Sequence, residues 1–341
     1  MRAVAPLRIS FVGGGTDFPH WYADNGGAVL SATIDHSVRA TVTRRRDRQV
    51  RVRSLDLGHI VQYHLDEGPA YDGVMDLAKA AIDRVGVAGG IDLSIDSEAP
   101  PGSGLGGSSA LVVATVAALA SLEGRSLSAE EMARMAYAIE REDLGIPGGW
   151  QDQYSAVYGG FNLMEFSRAG VRLSPVASDD ELLERLRERL LLCYTGRVRR
   201  DAGLIDAQIR LHSEGREDTL LGMKLLQTLA YAMRDAVAEG RLDDLGLMLE
   251  EAFENKKRMN PYVTEGTPVE EMFAAAHAAG AIGGKLCGAG GGGYVLVYAT
   301  LERRAAVRRE LERLGGQVAR FEFSGQGVRA RSGDRVWAPT R

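Results

Sequence analysis

Hydrophobic and polar positions alternate at the start of the chain, where Leu7, Ile9 and Phe11 are separated by Arg8 and Ser10. A period of two predicts a half-buried strand, here running into Gly13-Gly14-Gly15 and then Thr16-Asp17. Val29 to Val42 is apolar and β-branched, and Val50-Arg51-Val52-Arg53 alternates again. Both predict sheet strands, with Arg44-Arg45-Arg46-Asp47 as a solvated hairpin end between them. Asp72 to Val85 carries Met75, Ala78 and Ile82 on one helical face. Ile91-Asp92-Leu93-Ser94-Ile95 is another alternating strand, and Ala110 to Leu122 is almost wholly apolar and alanine-rich, as a buried helix is.

Further on, Ser128-Ala129-Glu130-Glu131 forms a capping box and starts a helix that runs to Leu144 and stops at Gly145. Phe161 to Phe166 predicts a strand that closes the first part of the chain. The second part begins near Ser178, with a helix over Asp180–Arg189 and a strand over Leu190–Tyr194. Amphipathic helices follow over Leu220–Glu239, Leu242–Met259 and Pro268–Ala279. The last elements are a strand at Tyr294–Tyr298, a helix at Glu302–Leu314 and a strand at Gln317–Phe323. Lys256-Lys257 reads as basic residues at a helix end. Thr195-Gly-Arg-Val-Arg-Arg200 reads as a basic loop.

With 341 residues the chain is long enough for two domains, divided here as 1–177 and 178–341. Hydrophobic residues make up 45 % and charged residues 26 %, in the range of globular enzymes. A net charge of −5 argues against a nucleic-acid binder. The longest apolar run, Ala110 to Leu122, is too short to span a bilayer, so no membrane is expected. Cys193 and Cys287 are far apart and suggest neither a disulfide framework nor a zinc site; a cytoplasmic location is the expectation.

The candidate chemistry centres on the junction between the Ile91 strand and the apolar helix. It contains Pro101, Gly102, Ser103, Gly104, Leu105, Gly106, Gly107, Ser108 and Ser109. Glycines let backbone N–H groups approach a ligand closely, serines suit a helix N-cap, and a helix start favours phosphate. The junction therefore predicts an anion cradle for a nucleotide. It is not a P-loop, because no lysine follows the glycines. Gly102, Gly104 and Gly107 do match the dinucleotide pattern G-x-G-x-x-G. That pattern needs an acid at the end of the next strand, whereas Glu123 stands at the far end of the helix. A dinucleotide-dependent oxidoreductase is the alternative that this pattern leaves open.

The same residues resemble the motif Pro-x-Gly-x-Gly-Leu-Gly-x-Ser-Ser of the GHMP kinases (galactokinase, homoserine kinase, mevalonate kinase and phosphomevalonate kinase). Ala5-Pro6-Leu7-Arg8 with Thr16-Asp17 resembles the opening of galactokinase-like members. Gly145 to Asp152-Gln153 resembles the segment that carries their catalytic aspartate, and Lys285-Leu-Cys-Gly-Ala-Gly-Gly-Gly-Gly293 resembles their third motif. The resemblance implies an α+β fold of two domains, an N-terminal ribosomal-protein-S5-like domain and a C-terminal ferredoxin-like one. It implies ATP on the glycine loop, with Mg²⁺ held by Ser108, or Ser109 in its place, and Glu140. It implies Asp152 as the base and Arg8 as the cation at the reacting hydroxyl. Asp17, with Gly14, Gly15 and Thr16, would contact the sugar. Galactokinases carry Glu-His where this chain has Gly14-Gly15, which argues against galactose. Gly13 to Asp17, Gly106 to Ser109 and Glu140 to Ile146 look most like kinases of D-glycero-D-manno-heptose 7-phosphate, which phosphorylate the anomeric hydroxyl. A fucose- or galactose-like 1-kinase is the alternative. A small sugar phosphate and ATP are then the partners, no nucleic acid is expected, and a homodimer stays open.

Overall fold

The computed structural model describes residues 1–176, 179–198, 203–333 and 335–340. The boundary between 177 and 178 lies outside them, as do Arg199 and Arg200 of the basic loop.

The first sheet is built on β1 (Arg2–Val12) and β2 (Gly27–Arg44). They pair antiparallel from Arg2↔Thr41 to Val12↔Leu30, with irregularities near Pro6 and Val12. β3 (Gln49–Ser54) and β4 (Ile60–His64) form a hairpin, and β3 lies parallel to β5 (Ile91–Ser97). β5 pairs with the second half of β2, and β6 (Phe161–Ser167) with its first half; β7 (Gly170–Pro175) extends β6. Because β5 lies between β2 and β3, Arg44 to Asp47 is not the end of a hairpin, contrary to the sequence expectation. Its arginines pair with Glu123, Asp47 and Asp92. The neighbours of β5 also dispose of the dinucleotide reading. One is antiparallel and the other precedes it in the chain, so the parallel strand that should follow the glycine turn is absent among the described residues.

The second sheet contains β8 (Leu190–Val198), β9 (Ala281–Leu286), β10 (Gly292–Ala299) and β11 (Gln317–Ala319), in the order β11-β8-β10-β9. All its pairings are antiparallel. Relabelled within this unit, the order is four-one-three-two, the ferredoxin-like arrangement that was expected. β11 stops short of the predicted Phe323. That residue instead bridges Ile34 in the first sheet, and its ring lies 5.9 Å from Phe161 and 6.3 Å from Phe11. The chain then adds β12 (Arg329–Ser332) and β13 (Arg335–Trp337) to the first sheet beside β1.

The helices, in order, are α1 (Pro19–Asn25), α2 (Asp76–Val85), α3 (Gly107–Leu122), α4 (Ala129–Ala138), α5 (Gln151–Tyr158), α6 (Asp180–Arg187), α7 (Gly203–Ser213), α8 (Glu217–Ala238), α9 (Leu242–Met259), α10 (Val269–Ala278) and α11 (Leu301–Arg313). Helix α3 is apolar on every side and is buried from Val112 to Ala120. At roughly 25 cal/mol per Å² of apolar surface buried, such a helix is fixed mainly by packing. It therefore gives the glycine turn at its N-terminus a rigid base. Helices α8 and α9 pack on each other and reach the first sheet, so elements of both halves meet beside that turn. Together the elements form the α+β fold expected for the GHMP kinases.

Candidate active site

Arg8 joins three elements. Its backbone N–H donates to the Leu105 carbonyl (3.0 Å) and its Nη1 to the Gly104 carbonyl (2.6 Å). Nε and Nη2 both reach Oδ1 of Asp152, at 2.8 and 2.7 Å. Arg8 is buried, while the Asp152 side chain keeps 23 % of its surface exposed. Gly104 is pressed against the third glycine stretch. A Cβ on it would fall 2.7 Å from the Cys287 carbonyl oxygen, and one on Gly288 would fall 2.5 Å from the Gly104 Cα. This close packing beside the loop requires glycine at these positions, and buried Cys287 is part of it.

The serines do not cap the helix. Gly106, with φ of 75°, holds the N-cap position, and Ser108 and Ser109 lie within the first turn of α3. Their hydroxyls donate instead to the two carboxylate oxygens of Glu140, at 3.2 and 2.7 Å, and Gln153 Nε2 donates to the same carboxylate. Glu140 is fully buried because the expected single helix ends at Ala138 and passes into a wider turn, Ile139–Asp143. Wide turns of this kind recur at functional sites. Glu140 thereby faces inward, while Glu142 and Asp143 face outward and pair with Arg84. Burial pushes the Glu140 carboxyl above its ordinary value, partly offset by Arg141 and by the Ser109 and Gln153 hydrogen bonds.

No group of three or more His, Cys, Asp or Glu suited to a metal occurs among the described residues. The hydroxyl and carboxylate pair of Ser108 and Glu140 is a small set of hard oxygen donors. It fits a cation such as Mg²⁺, which takes one or two carboxylates and completes its shell with phosphates and water.

A cavity of about 200 Å³ opens between the two halves and is lined by Arg8, Ser108, Asp152, Gly14, Gly15 and Asp17, among others. Asp17 is buried and accepts hydrogen bonds from the N–H groups of Gly15 (3.0 Å) and Gln151 (3.1 Å). Burial raises its pKa, and the nearby Asp152 charge adds to the rise. The backbone at Gly149 passes directly over this carboxylate, where a Cβ would lie 2.0 Å from Oδ2.

Thr16, expected among the sugar contacts, does not line the cavity. It is fully buried, and its hydroxyl closes its own turn by donating to the carbonyls of Gly13 (2.7 Å) and Ala28 (3.0 Å). Ser109 and Glu140 sit behind Ser108, outside the cavity lining. Pro101, Gly102, Ser103, Gly104, Leu105, Gly106 and Gly107 also lie outside it. Leu105 is core, and the Ser103 carbonyl accepts from Tyr294 N–H (2.9 Å).

Sequence reasoning missed Lys256, Lys285 and Gln208, which all line the cavity. A signal was available for Lys256. It falls on the buried stripe of α9 with Leu249, Ala252, Phe253 and Met259, where a lysine has no reason to be unless something polar lies there.

A glycine turn at a helix start, a cation joined to an aspartate at the cavity and a buried glutamate behind the one loop serine that lines it are the parts a small-molecule phosphotransferase needs. The comparisons agree. The GHMP kinases N terminal domain matches residues 73–160, and the GHMP kinases C terminal domain matches residues 233–317. The D-glycero-alpha-D-manno-heptose 7-phosphate kinase of Campylobacter jejuni is 32 % identical over 97 % of this chain and 98 % of its own length. Two crystal structures superpose over nearly the whole chain. One is a D-glycero-D-manno-heptose 1-phosphate kinase from Bacteroides thetaiotaomicron, with 28 % identity, a TM-score of 0.81 and coverage of 100 % and 99 % of the two chains. The other is a putative sugar kinase from Campylobacter jejuni, with 30 % identity, a TM-score of 0.75 and coverage of 99 % and 98 %. The chain belongs to the GHMP kinase family and is an ATP-dependent kinase. No described helix is long and apolar enough to cross a membrane.

Proposed function

We propose that this kinase transfers the γ-phosphoryl group of ATP to the anomeric hydroxyl of D-glycero-D-manno-heptose 7-phosphate, giving the 1,7-bisphosphate. The observation that carries the reading is the Arg8 bridge, which joins the glycine loop at Gly104 to Asp152 at the cavity. The acceptor is chosen from the likeness to the Campylobacter jejuni heptose 7-phosphate kinase.

Asp152 stands within the first turn of α5, where the helix dipole favours its charge. Arg8 engages Oδ1, so Oδ2 is left to accept the proton of the anomeric hydroxyl. The O1–Pγ bond forms as the bond from Pγ to the bridging oxygen breaks, and ADP leaves. The guanidinium of Arg8 stabilises the charge on the group in transit. Asp17 holds sugar hydroxyls beside the Gly14-Gly15 turn. Ser108 and Glu140 would hold Mg²⁺, which supplies charge neutralisation at the ATP phosphates. The two domains divide near residues 177–178, with β12 and β13 returning to the first sheet, and substrates enter between them.

The test is ATP consumption with heptose 7-phosphate, unphosphorylated heptose, fucose and galactose as acceptors. Heptose 7-phosphate should give the highest kcat/KM. Equal or better use of fucose or galactose would replace the acceptor while keeping the kinase.

A further inference from the structure

Two buried side chains from the second half reach the cavity without a role in the reaction above. Lys256 on α9 donates from Nζ to the carbonyls of Gly288 and Leu286, the latter at 3.4 Å. Lys285 on β9 donates to the same Leu286 carbonyl (3.3 Å) and to that of Ser10 (2.6 Å). Two ammonium groups therefore share one carbonyl oxygen. Among the described residues neither has a carboxylate at ion-pair distance. Burial, then repulsion from Lys285, pushes the Lys256 pKa down to about 7, and burial, with a smaller contribution from Arg8, pushes that of Lys285 down to about 8. Buried cations without an anion are costly, and a ligand can supply the missing charge.

Gln208 on α7 points to where that ligand lies. It is buried, lines the cavity, and its Nε2 has no hydrogen-bond partner among the described residues. A Cβ on Gly15 would fall 2.7 Å from this Nε2 and 3.0 Å from Met259 Sδ. Met259 is three residues beyond Lys256, one turn further along the same face of α9. Gly15 therefore lets its turn pack directly against Gln208 and Met259, and an amide donor stands at the wall of the cavity that Lys256, one turn away on α9, also lines. Lys285 also lines the cavity, with its ammonium held by the Ser10 carbonyl on β1. Arg8 is already committed to Gly104 and Asp152.

We propose that Lys256 and Gln208 form a subsite for the phosphate that the acceptor already carries, and so select a phosphorylated sugar over its free form. The proposal rests on the reading of the acceptor as a sugar phosphate. Charge-assisted hydrogen bonds of this kind contribute about 1.5–3 kcal/mol each, or roughly ten- to a hundredfold in discrimination.

The test compares kcat/KM for heptose 7-phosphate and for free heptose in the parent enzyme, Lys256→Met and Gln208→Glu. Lys256→Met should lower the ratio of the two values about ten- to a hundredfold, mainly through KM for the phosphorylated sugar. Gln208→Glu, which sets a carboxylate against the phosphate, should lower it at least as far. Titration of each folded variant with heptose 7-phosphate, without ATP, should show the same loss of affinity. If the parent enzyme shows no preference, the acceptor reading fails and the subsite with it. If the parent discriminates and both variants keep its ratio, the subsite alone is overturned. If Lys256→Met lowers kcat equally on both sugars, Lys256 serves the group in transit and the proposal is wrong.

Discussion

Arg8 and Asp152 form one unit, in which Nε and Nη2 of the guanidinium converge on a single carboxylate oxygen at 2.8 and 2.7 Å. The residues lie 144 positions apart and are brought together because β1 and α5 both pack against α3. The pairing holds the carboxylate through Oδ1 and leaves Oδ2 clear of Arg8, as the proposed base requires. Asp152→Asn keeps the shape and removes the charge. It should cut kcat by roughly 10²–10⁴-fold with little change in KM for ATP. Steady-state kinetics on a variant with parent-like circular dichroism checks this, and near-normal kcat would remove the base assignment.

Arg8→Lys keeps a positive charge but not the planar fork that reaches Gly104 and Asp152 together. It should lower kcat by about tenfold or more and raise KM for ATP, since the glycine loop loses its side-chain tie to β1 at Gly104 and keeps only the backbone bond at Leu105. A variant with unaltered kcat would show that charge alone suffices at this position.

At Gly149 the backbone has room for hydrogen only, because a Cβ would meet the Asp17 carboxylate at 2.0 Å. Gly149→Ala should displace Asp17 and raise KM for the sugar, with KM for ATP nearly unchanged. Asp17→Asn should act in the same direction. If either variant weakens ATP and sugar equally, Asp17 is not a sugar contact.

Lys256 makes a pH-dependent contribution whose sign can be worked out. Its pKa falls from 10.5 to about 7 in the folded protein. The buried charge therefore costs stability in full below pH 7, and the cost fades as pH rises from 7 towards 10.5. Ligand-free Lys256→Met should gain most in unfolding temperature, relative to the parent, near pH 6, and the gain should shrink by pH 9. Thermal scans across that range check it. A difference between the two proteins that does not vary with pH would mean the lysine is not buried in its charged form.

The motifs made the candidate centre legible because they are local. Arg8, Ser108, Glu140 and Asp152 each stand at a fixed distance from a glycine or a helix boundary. What stayed hidden depends on contacts between distant segments. Local pattern reads Ser108 and Ser109 as caps, and only the family resemblance joins the loop serine to Glu140, because the helical pattern of 128–144 does not show the wider turn that faces Glu140 inward. Phe323 read as the end of a strand of the second sheet, but its ring belongs with Phe11 and Phe161 in the first. Lys256 reads as a basic residue at a helix end, and only its place on the buried stripe of α9 distinguishes it from exposed helix-end lysines. The arginines at 44 to 46 read as a hairpin end because β5, which lies between their strands, comes much later in the chain.

The measurement that tests the account most directly is phosphorus NMR of the product formed from ATP and heptose 7-phosphate. The account predicts two sugar phosphate signals, the original one and a new one coupled to the anomeric proton, with one ADP formed per sugar consumed. A new phosphate on any other carbon, or ATP hydrolysis without transfer to the sugar, would contradict it.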